Sequence, residues 1–265
     1  MTILDTIIAR KKIEVVKSKR DNSIKTLENS ASFSVPKISL NEFILNKNRS
    51  GIIAEFKRKS PSKGIINDTA LVTDVTTGYN TAGASALSVL TDTQFFGGYN
   101  DDVITARKAN NIPILRKDFT IDEYQIIEAK SIGANAILLI ASVLTKAEIK
   151  TFTTLAHSIG LEVLLEIHTE QELEKYNPDI SLVGINNRNL NTFEVDFENA
   201  IRLAEALPKQ TVKIAESGIS DYKNIDYLKT HGFDGFLIGE NFMKTENPGQ
   251  ACKTFIENIN KNRHA

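Results

Sequence analysis

The chain has 265 residues, enough for one large α/β domain or two small ones, and for burying roughly three-quarters of its surface without a disulfide. Lys plus Arg number 32 against 33 for Asp plus Glu, so no overall field favours nucleic acid or a membrane, and an anionic ligand must be held by local geometry. The single cysteine, Cys252, excludes an internal disulfide, and four scattered histidines lack metal-ligand spacing; no metal and no cofactor are expected.

Residues 1–20 set Ile3, Leu4, Ile7, Ile8, Val15 and Val16 among Arg10, Lys11, Lys12, Lys17 and Lys19, which predicts an amphipathic helix. Its apolar face is narrow, so packing against the main domain is expected rather than binding at a membrane surface. A polar link follows, and residues 1–47 read as a helical extension. No run of about 18 apolar residues occurs, and Asp5 and Glu14 argue against a targeting segment. The protein reads as soluble and cytoplasmic.

The apolar run Ile52-Ile53-Ala54 then leads into Glu55-Phe56-Lys57 and a break at Pro61 and Gly64. On a strand, Glu55 and Lys57 point to the same side, as an acid–base pair or as a merely solvated strand end. From here one theme repeats. A glycine ends a helical segment and a β-rich apolar run follows, as at Gly83, Gly133, Gly160 and Gly232, spaced by multiples of roughly 25 residues. Eight strands are predicted, at 51–57, 85–90, 112–117, 135–140, 161–166, 181–186, 211–215 and 234–238. Asp68, Asp101, Thr145, Thr169, Asp196 and Ser220 are placed to cap the intervening helices. Eight βα units match a (β/α)8 TIM barrel, a single domain over 1–265 with the extension at 1–47. An open doubly wound sheet is the alternative, but its Gly-x-Gly-x-x-Gly is missing after the first strand.

A barrel demands functional groups at the C-terminal strand ends. The chain supplies Glu55 and Lys57, Phe96, Lys117 and Phe119, Glu166 and His168, Asn186 and Arg188, Glu216-Ser217-Gly218, and Gly239-Glu240-Asn241. The opposite ends are mostly small or apolar. Glycines after the seventh and eighth strands let backbone N–H groups approach a phosphate, where barrels commonly hold one. Lys57 and Lys117 enter the mouth together, and two close ammonium groups are expected to lower each other's pKa. Glu55 and Glu166 serve as counter-charges or proton acceptors. Asn186 and Arg188 suit a ligand carboxylate. Phe96, Phe119, Leu138 and Leu190 are either plain core or a slot for a flat ring. His157 and His168 read as surface or supporting residues, and Asp118 as structural. The residues alone describe a cofactor-free, phosphate-binding barrel enzyme doing acid–base chemistry on a partly apolar substrate. A Schiff-base aldolase and a non-catalytic phosphate sensor are the rival readings.

The stretches Ile53-Ala54-Glu55-Phe56-Lys57-Arg58-Lys59-Ser60-Pro61-Ser62, Pro113-Ile114-Leu115-Arg116-Lys117-Asp118-Phe119, Leu165-Glu166-Ile167-His168, Gly184-Ile185-Asn186-Asn187-Arg188-Asn189-Leu190, Ala215-Glu216-Ser217-Gly218-Ile219 and Phe236-Leu237-Ile238-Gly239-Glu240 resemble indole-3-glycerol phosphate synthase. The likeness runs over nearly the whole chain. It implies ring closure, decarboxylation and dehydration of 1-(2-carboxyphenylamino)-1-deoxyribulose 5-phosphate in tryptophan biosynthesis. It also implies a small phosphorylated substrate and no nucleic-acid or membrane partner, with a monomer or weak homo-oligomer. By motif, Lys117 is the general acid, Glu166 and Asn186 assist at the hydroxyls, and Lys57 with Glu55 serve later proton transfers. Arg188 takes the carboxylate, while Phe96, Phe119, Leu138 and Leu190 flank the ring. Ser60 contacts substrate, and Glu216, Ser217, Gly218, Gly239 and Glu240 belong to the phosphate side. The chain departs from the family in lacking tryptophan and in having Asn241 where a small residue is usual. No fused second enzyme is expected.

Overall fold

Short β-branched runs without polar alternation form strands where both faces are covered, and the chain uses them in that way. The computed structural model describes residues 2–188 and 194–263. Three helices, α1 (Ile3–Asp21), α2 (Ile24–Glu28) and α3 (Leu40–Leu45), precede β1 (Ile52–Phe56). A small antiparallel hairpin of β2 (Lys59–Ser60) and β3 (Gly64–Ile65) leads to α4 (Val72–Thr81) and β4 (Ala86–Leu90). Next come α5 (Thr93–Phe96), α6 (Asn100–Ala109), β5 (Ile114–Lys117), α7 (Glu123–Ser131) and β6 (Ala136–Ile140). The alternation continues through α8 (Lys146–Ser158), β7 (Glu162–Ile167), α9 (Glu170–Leu173), β8 (Leu182–Asn186) and α10 (Phe197–Ala206). Then follow β9 (Val212–Glu216), α11 (Lys223–Thr230), β10 (Gly235–Ile238), α12 (Glu240–Met243) and α13 (Pro248–Arg263).

The strands β1, β4, β5, β6, β7, β8, β9 and β10 pair in parallel in that order, and β10 returns to β1. This is the closed (β/α)8 TIM barrel expected from the repeat. Side chains alternate across each strand, so one set fills the barrel and the other meets the helices. Ile53, Leu115, Leu164 and Ile214 belong to the inner cluster, whereas Ile52, Ala54, Ile114, Val163, Leu165 and Ala215 pack outward. Two residues further along each inward series stand Glu55, Lys117, Glu166 and Glu216. Strand periodicity thus puts an apolar floor under a charged layer at the C-terminal end.

The N-terminal end is closed by α3, whose Leu40 and Ile44 join the inner cluster. Glu162, at the start of β7, accepts from Ser39 Oγ at 2.6 Å, Leu40 N at 2.6 Å and Asn41 N at 3.1 Å, tying down the α3 N-terminus. Glu162 is the exception among barrel strand starts that are otherwise small or apolar, because the plug helix needs an acceptor. At the other end α1 lies against the barrel rim. Its Ile7, Lys11 and Val15 are buried, and Tyr124 Oη donates to Ser18 O at 2.9 Å and Asn22 O at 3.1 Å. No described helix is long and apolar enough to cross a membrane.

Thr145 and Asp196 cap α8 and α10 with their side chains. Thr169 sits at the N-cap of α9 without a side-chain bond. Asp68, Asp101 and Ser220 do not act as caps: α4 starts only at Val72, Asp101 lies inside the first turn of α6, and α11 starts after Tyr222. The break at Pro61 and Gly64 falls at the turn of the β2–β3 hairpin, closed by Ile66 N and Asn67 N donating to Arg58 O at 2.8 and 3.0 Å.

Candidate active site

A cavity of about 410 Å³ opens at the C-terminal strand ends, and its lining brings together Glu55, Lys57, Ser60, Phe96, Lys117, Phe119, Leu138, Glu166, Asn186, Arg188, Glu216, Ser217, Gly218, Gly239 and Glu240. Leu190 lies outside the described residues.

Lys117 ends β5 on its inward side, and its Nζ sits 2.8 Å from Glu166 Oε2 and 2.6 Å from Glu216 Oε2. Burial opposes its charge, but Glu166, Glu216 and Glu55 together outweigh that and raise its pKa. This corrects the expectation of two lysines depressing each other. Lys57 Nζ is instead paired with Glu55 Oε1 at 2.7 Å, so the two ammonium groups are held by different carboxylates. Glu166 is held well below the usual carboxylate range: burial pushes it up, while Lys117 and His168 pull it down more strongly. Glu216 goes the other way, to about 7, because burial and the neighbouring Glu166 and Glu55 outweigh Lys117. The layer thus holds a protonated lysine, an ionised Glu166 and a Glu216 carboxyl that takes up a proton far more readily.

Glu216 therefore belongs to the charged layer under the mouth and lines the cavity just before the turn at Ser217 and Gly218. Ser217 and Gly218 take consecutive left-handed conformations with φ of 67° and 74°. Asn187 Nδ2 holds that turn by donating to Ser217 O at 2.8 Å. Gly239 follows β10 and precedes α12, so the two loops line one side of the cavity with little side-chain bulk. Asn241 Nδ2 donates to Ser220 O at 3.2 Å, which fastens the two loops together.

Asn186 Nδ2 donates to Glu166 Oε1 at 3.1 Å, and Asn186 Oδ1 accepts from Arg188 N at 3.0 Å. The Arg188 guanidinium reaches over the cavity to Ser62 Oγ at 3.3 Å and Glu240 Oε2 at 3.7 Å. Its Nε is buried without a hydrogen-bond partner among the described residues. On the opposite wall the Phe96 and Phe119 rings lie 6.0 Å apart, with Leu138 buried beside the cavity.

Two contributors, the start of α1 and Gly184, escaped the sequence reading, while His168 was named there as a surface or supporting residue. Ile3, Leu4 and Ile7 of α1 line the cavity. His168 approaches Glu166 Oε1 to 3.1 Å, and although burial opposes its charge, Glu166 and Glu172 push its pKa up to about 10. Gly184 has no side chain because a Cβ there would run into Glu216 Oε1. A glycine inside an apolar strand run was the readable signal for the last of these. His157 is exposed, and Asp118 is buried with Thr91, Arg116 and Lys11 in a structural cluster, as expected.

The profile of the family described as indole-3-glycerol phosphate synthase matches residues 4–255. An indole-3-glycerol phosphate synthase of Bacteroides thetaiotaomicron is 50% identical over 257 residues, covering 97% of this chain and 98% of the relative. One of Campylobacter fetus is 42% identical, covering 95% and 98%. Among solved structures, a variant tryptophan synthase alpha-subunit of Pyrococcus furiosus superposes with a TM-score of 0.61 at 14% identity, covering 81% of this chain and 99% of that one, a likeness of fold alone. Because the family profile and these relatives span nearly the whole chain, it belongs to the indole-3-glycerol phosphate synthase family.

Proposed function

We propose that the chain converts 1-(2-carboxyphenylamino)-1-deoxyribulose 5-phosphate into indole-3-glycerol phosphate, with carbon dioxide and water as the other products. The observation that carries this reading is Lys117, held protonated between Glu166 and Glu216 beneath a cavity that has an aromatic wall and two glycine loops. Phe96, Phe119 and Leu138 flank the substrate's ring, Arg188 takes its carboxylate, and Ser217, Gly218, Gly239 and Glu240 offer backbone N–H groups to the phosphate. Ser60 on the hairpin covers the sugar.

In the first step the ring carbon bearing the carboxylate attacks the ribulose carbonyl. As that carbon–carbon bond forms, Lys117 gives its proton to the carbonyl oxygen. The developing alkoxide is far more basic than an amine, so a raised lysine pKa does not prevent the transfer. Carbon dioxide then leaves, and its bonding electrons restore the ring. In the dehydration Lys57 protonates the departing hydroxyl, which leaves as water, and Glu55 takes a proton from the carbon beside nitrogen. Glu166 and Asn186 orient the hydroxyls throughout. One proton from solvent per turnover restores Lys117.

Indole fluorescence on adding the carboxyphenylamino sugar phosphate tests the activity. Lys117→Ala is expected to cut kcat by roughly 10²- to 10⁴-fold with the circular dichroism unchanged. Turnover at the wild-type rate would remove Lys117 from the mechanism.

A further inference from the structure

The mechanism makes no use of one buried cation. Lys11, in the middle of α1, is only 4% exposed, unusual for a lysine on a helix that lies outside the barrel. Its Nζ meets three carboxylates: Glu14 Oε2 at 2.7 Å, Asp118 Oδ1 at 2.9 Å and Asp92 Oδ2 at 3.0 Å. Glu14 belongs to α1 itself, but Asp92 and Asp118 come from the loops after β4 and β5. Both loops carry cavity residues. Asp92 Oδ1 accepts from Phe95 N at 2.7 Å and caps α5, the short helix that ends in Phe96. Asp118 Oδ1 accepts from Phe119 N at 2.7 Å, while its Oδ2 accepts from Thr91 Oγ1 at 2.6 Å and Arg116 Nη2 at 3.3 Å. Asp92 Oδ2 has no hydrogen-bond partner among the described residues, so Lys11 is its counter-charge. On the helix, Ile3 and Ile7 stand eight and four residues before Lys11, on the same face, and both line the cavity.

We propose that Lys11 is a positioning residue whose ammonium, shared between Asp92 and Asp118, locks α1, the Phe96 helix and the Phe119 loop into one slot for the substrate's aryl ring. The proposal rests on the reading of the substrate as an anthranilate-derived sugar phosphate. A buried pair of carboxylates without its cation is strongly disfavoured, so loss of Lys11 lets α1 lift and water enter. The loops around Ser217 and Gly239 stand on other elements and stay in place, and Lys117, although it directly precedes Asp118 at the end of β5, is held separately by Glu166 and Glu216.

The test is steady-state kinetics of Lys11→Met, with inhibition by anthranilate and by inorganic phosphate measured alongside. KM is expected to rise about tenfold or more with kcat within about threefold of wild type, because the lost interaction serves binding. Inhibition by anthranilate should weaken in parallel, while inhibition by inorganic phosphate stays unchanged. Lys11→Arg, which keeps the cation, should recover most of the KM. Asp92→Asn keeps the cap acceptor and removes the charge facing Lys11, and it decides the matter if Lys11→Met fails to fold: a raised KM is again expected. An unchanged KM in a folded Lys11→Met or in Asp92→Asn overturns the proposal, as does equal weakening of both inhibitors, which reports general loosening. Docking of α1 is also read without turnover, by tryptic cleavage after Lys12 and Lys17, which should accelerate several-fold in Lys11→Met. Equal cleavage rates overturn the latch even where the substrate assignment stands. A wild-type protein that ignores the substrate overturns that assignment and leaves the cleavage result to judge the latch.

Discussion

Glu166 is approached from three sides: Lys117 Nζ at 2.8 Å, Asn186 Nδ2 at 3.1 Å and His168 Nε2 at 3.1 Å. The last contact makes a pH prediction. Folding raises the His168 pKa from its ordinary 6.5 to about 10, burial being outweighed by Glu166 and Glu172. A raised pKa means the folded state binds the proton more tightly than the unfolded state. The resulting stabilisation is complete below about pH 6.5 and is lost as the pH rises towards 10. His168→Gln should therefore melt a few °C below wild type near pH 6, with the gap closing by pH 10. A gap that stays constant across that range would show the imidazolium contributes nothing. Lys117 and Glu166 could be read from the sequence because both end apolar runs on the inward side. His168 was left between surface and support because the predicted strand stops at 166; β7 runs on to Ile167, and a residue two past Glu166 then falls on the same side.

At the level of the element, β8 shows how a strand accommodates a charge from its neighbour. Gly184 pairs with Ile214 and Asn186 with Glu216, so the Glu216 carboxyl folds back over Gly184 to reach Lys117 at 2.6 Å. In an ordinary strand, Gly to Ala gains stability by reducing the freedom of the unfolded chain. Here the new methyl meets a carboxyl already pinned by Lys117 and must displace it. Gly184→Ala should therefore lower the melting temperature and also lower kcat about tenfold or more. Wild-type kcat in that variant would mean the Glu216 position is not needed. The eight strands themselves were legible because their apolar runs and terminal glycines repeat, with Gly133 and Gly160 at φ of 93° and 77° marking the helix ends. The β2–β3 hairpin was not, since two-residue strands carry no periodicity. Nor was the docking of α1 by Lys11, because a lysine among lysines looks like a solvated face until its partners, some 80 and 107 residues along, are brought beside it.

Across the whole molecule the two ends of the barrel divide the work, and a single strand exposes the division. Glu162 and Glu166 both belong to β7 and both are buried, yet four residues, roughly 13 Å, separate them. Glu162 accepts three hydrogen bonds from the start of α3 and so seals the floor. Glu166 faces the cavity among Lys117, Asn186 and His168. Removing the first acceptor leaves buried donors unpaired, and Glu162→Ala should cost about 2–3 kcal/mol of stability with kcat and KM near wild type. Glu166→Gln keeps the volume and the acceptor towards Asn186 but loses the charge, and kcat should fall by roughly 10²-fold. Sites this far apart without a shared partner couple weakly, so the double variant should show the sum of the two stability changes within about 0.5 kcal/mol. It should also keep the kcat of Glu166→Gln alone. Denaturant unfolding and indole fluorescence on the four proteins measure both quantities. A lower kcat in the double variant than in Glu166→Gln would mean that the α3 plug reaches the chemistry through the barrel's apolar layers, and that floor and mouth are one mechanical unit instead of two.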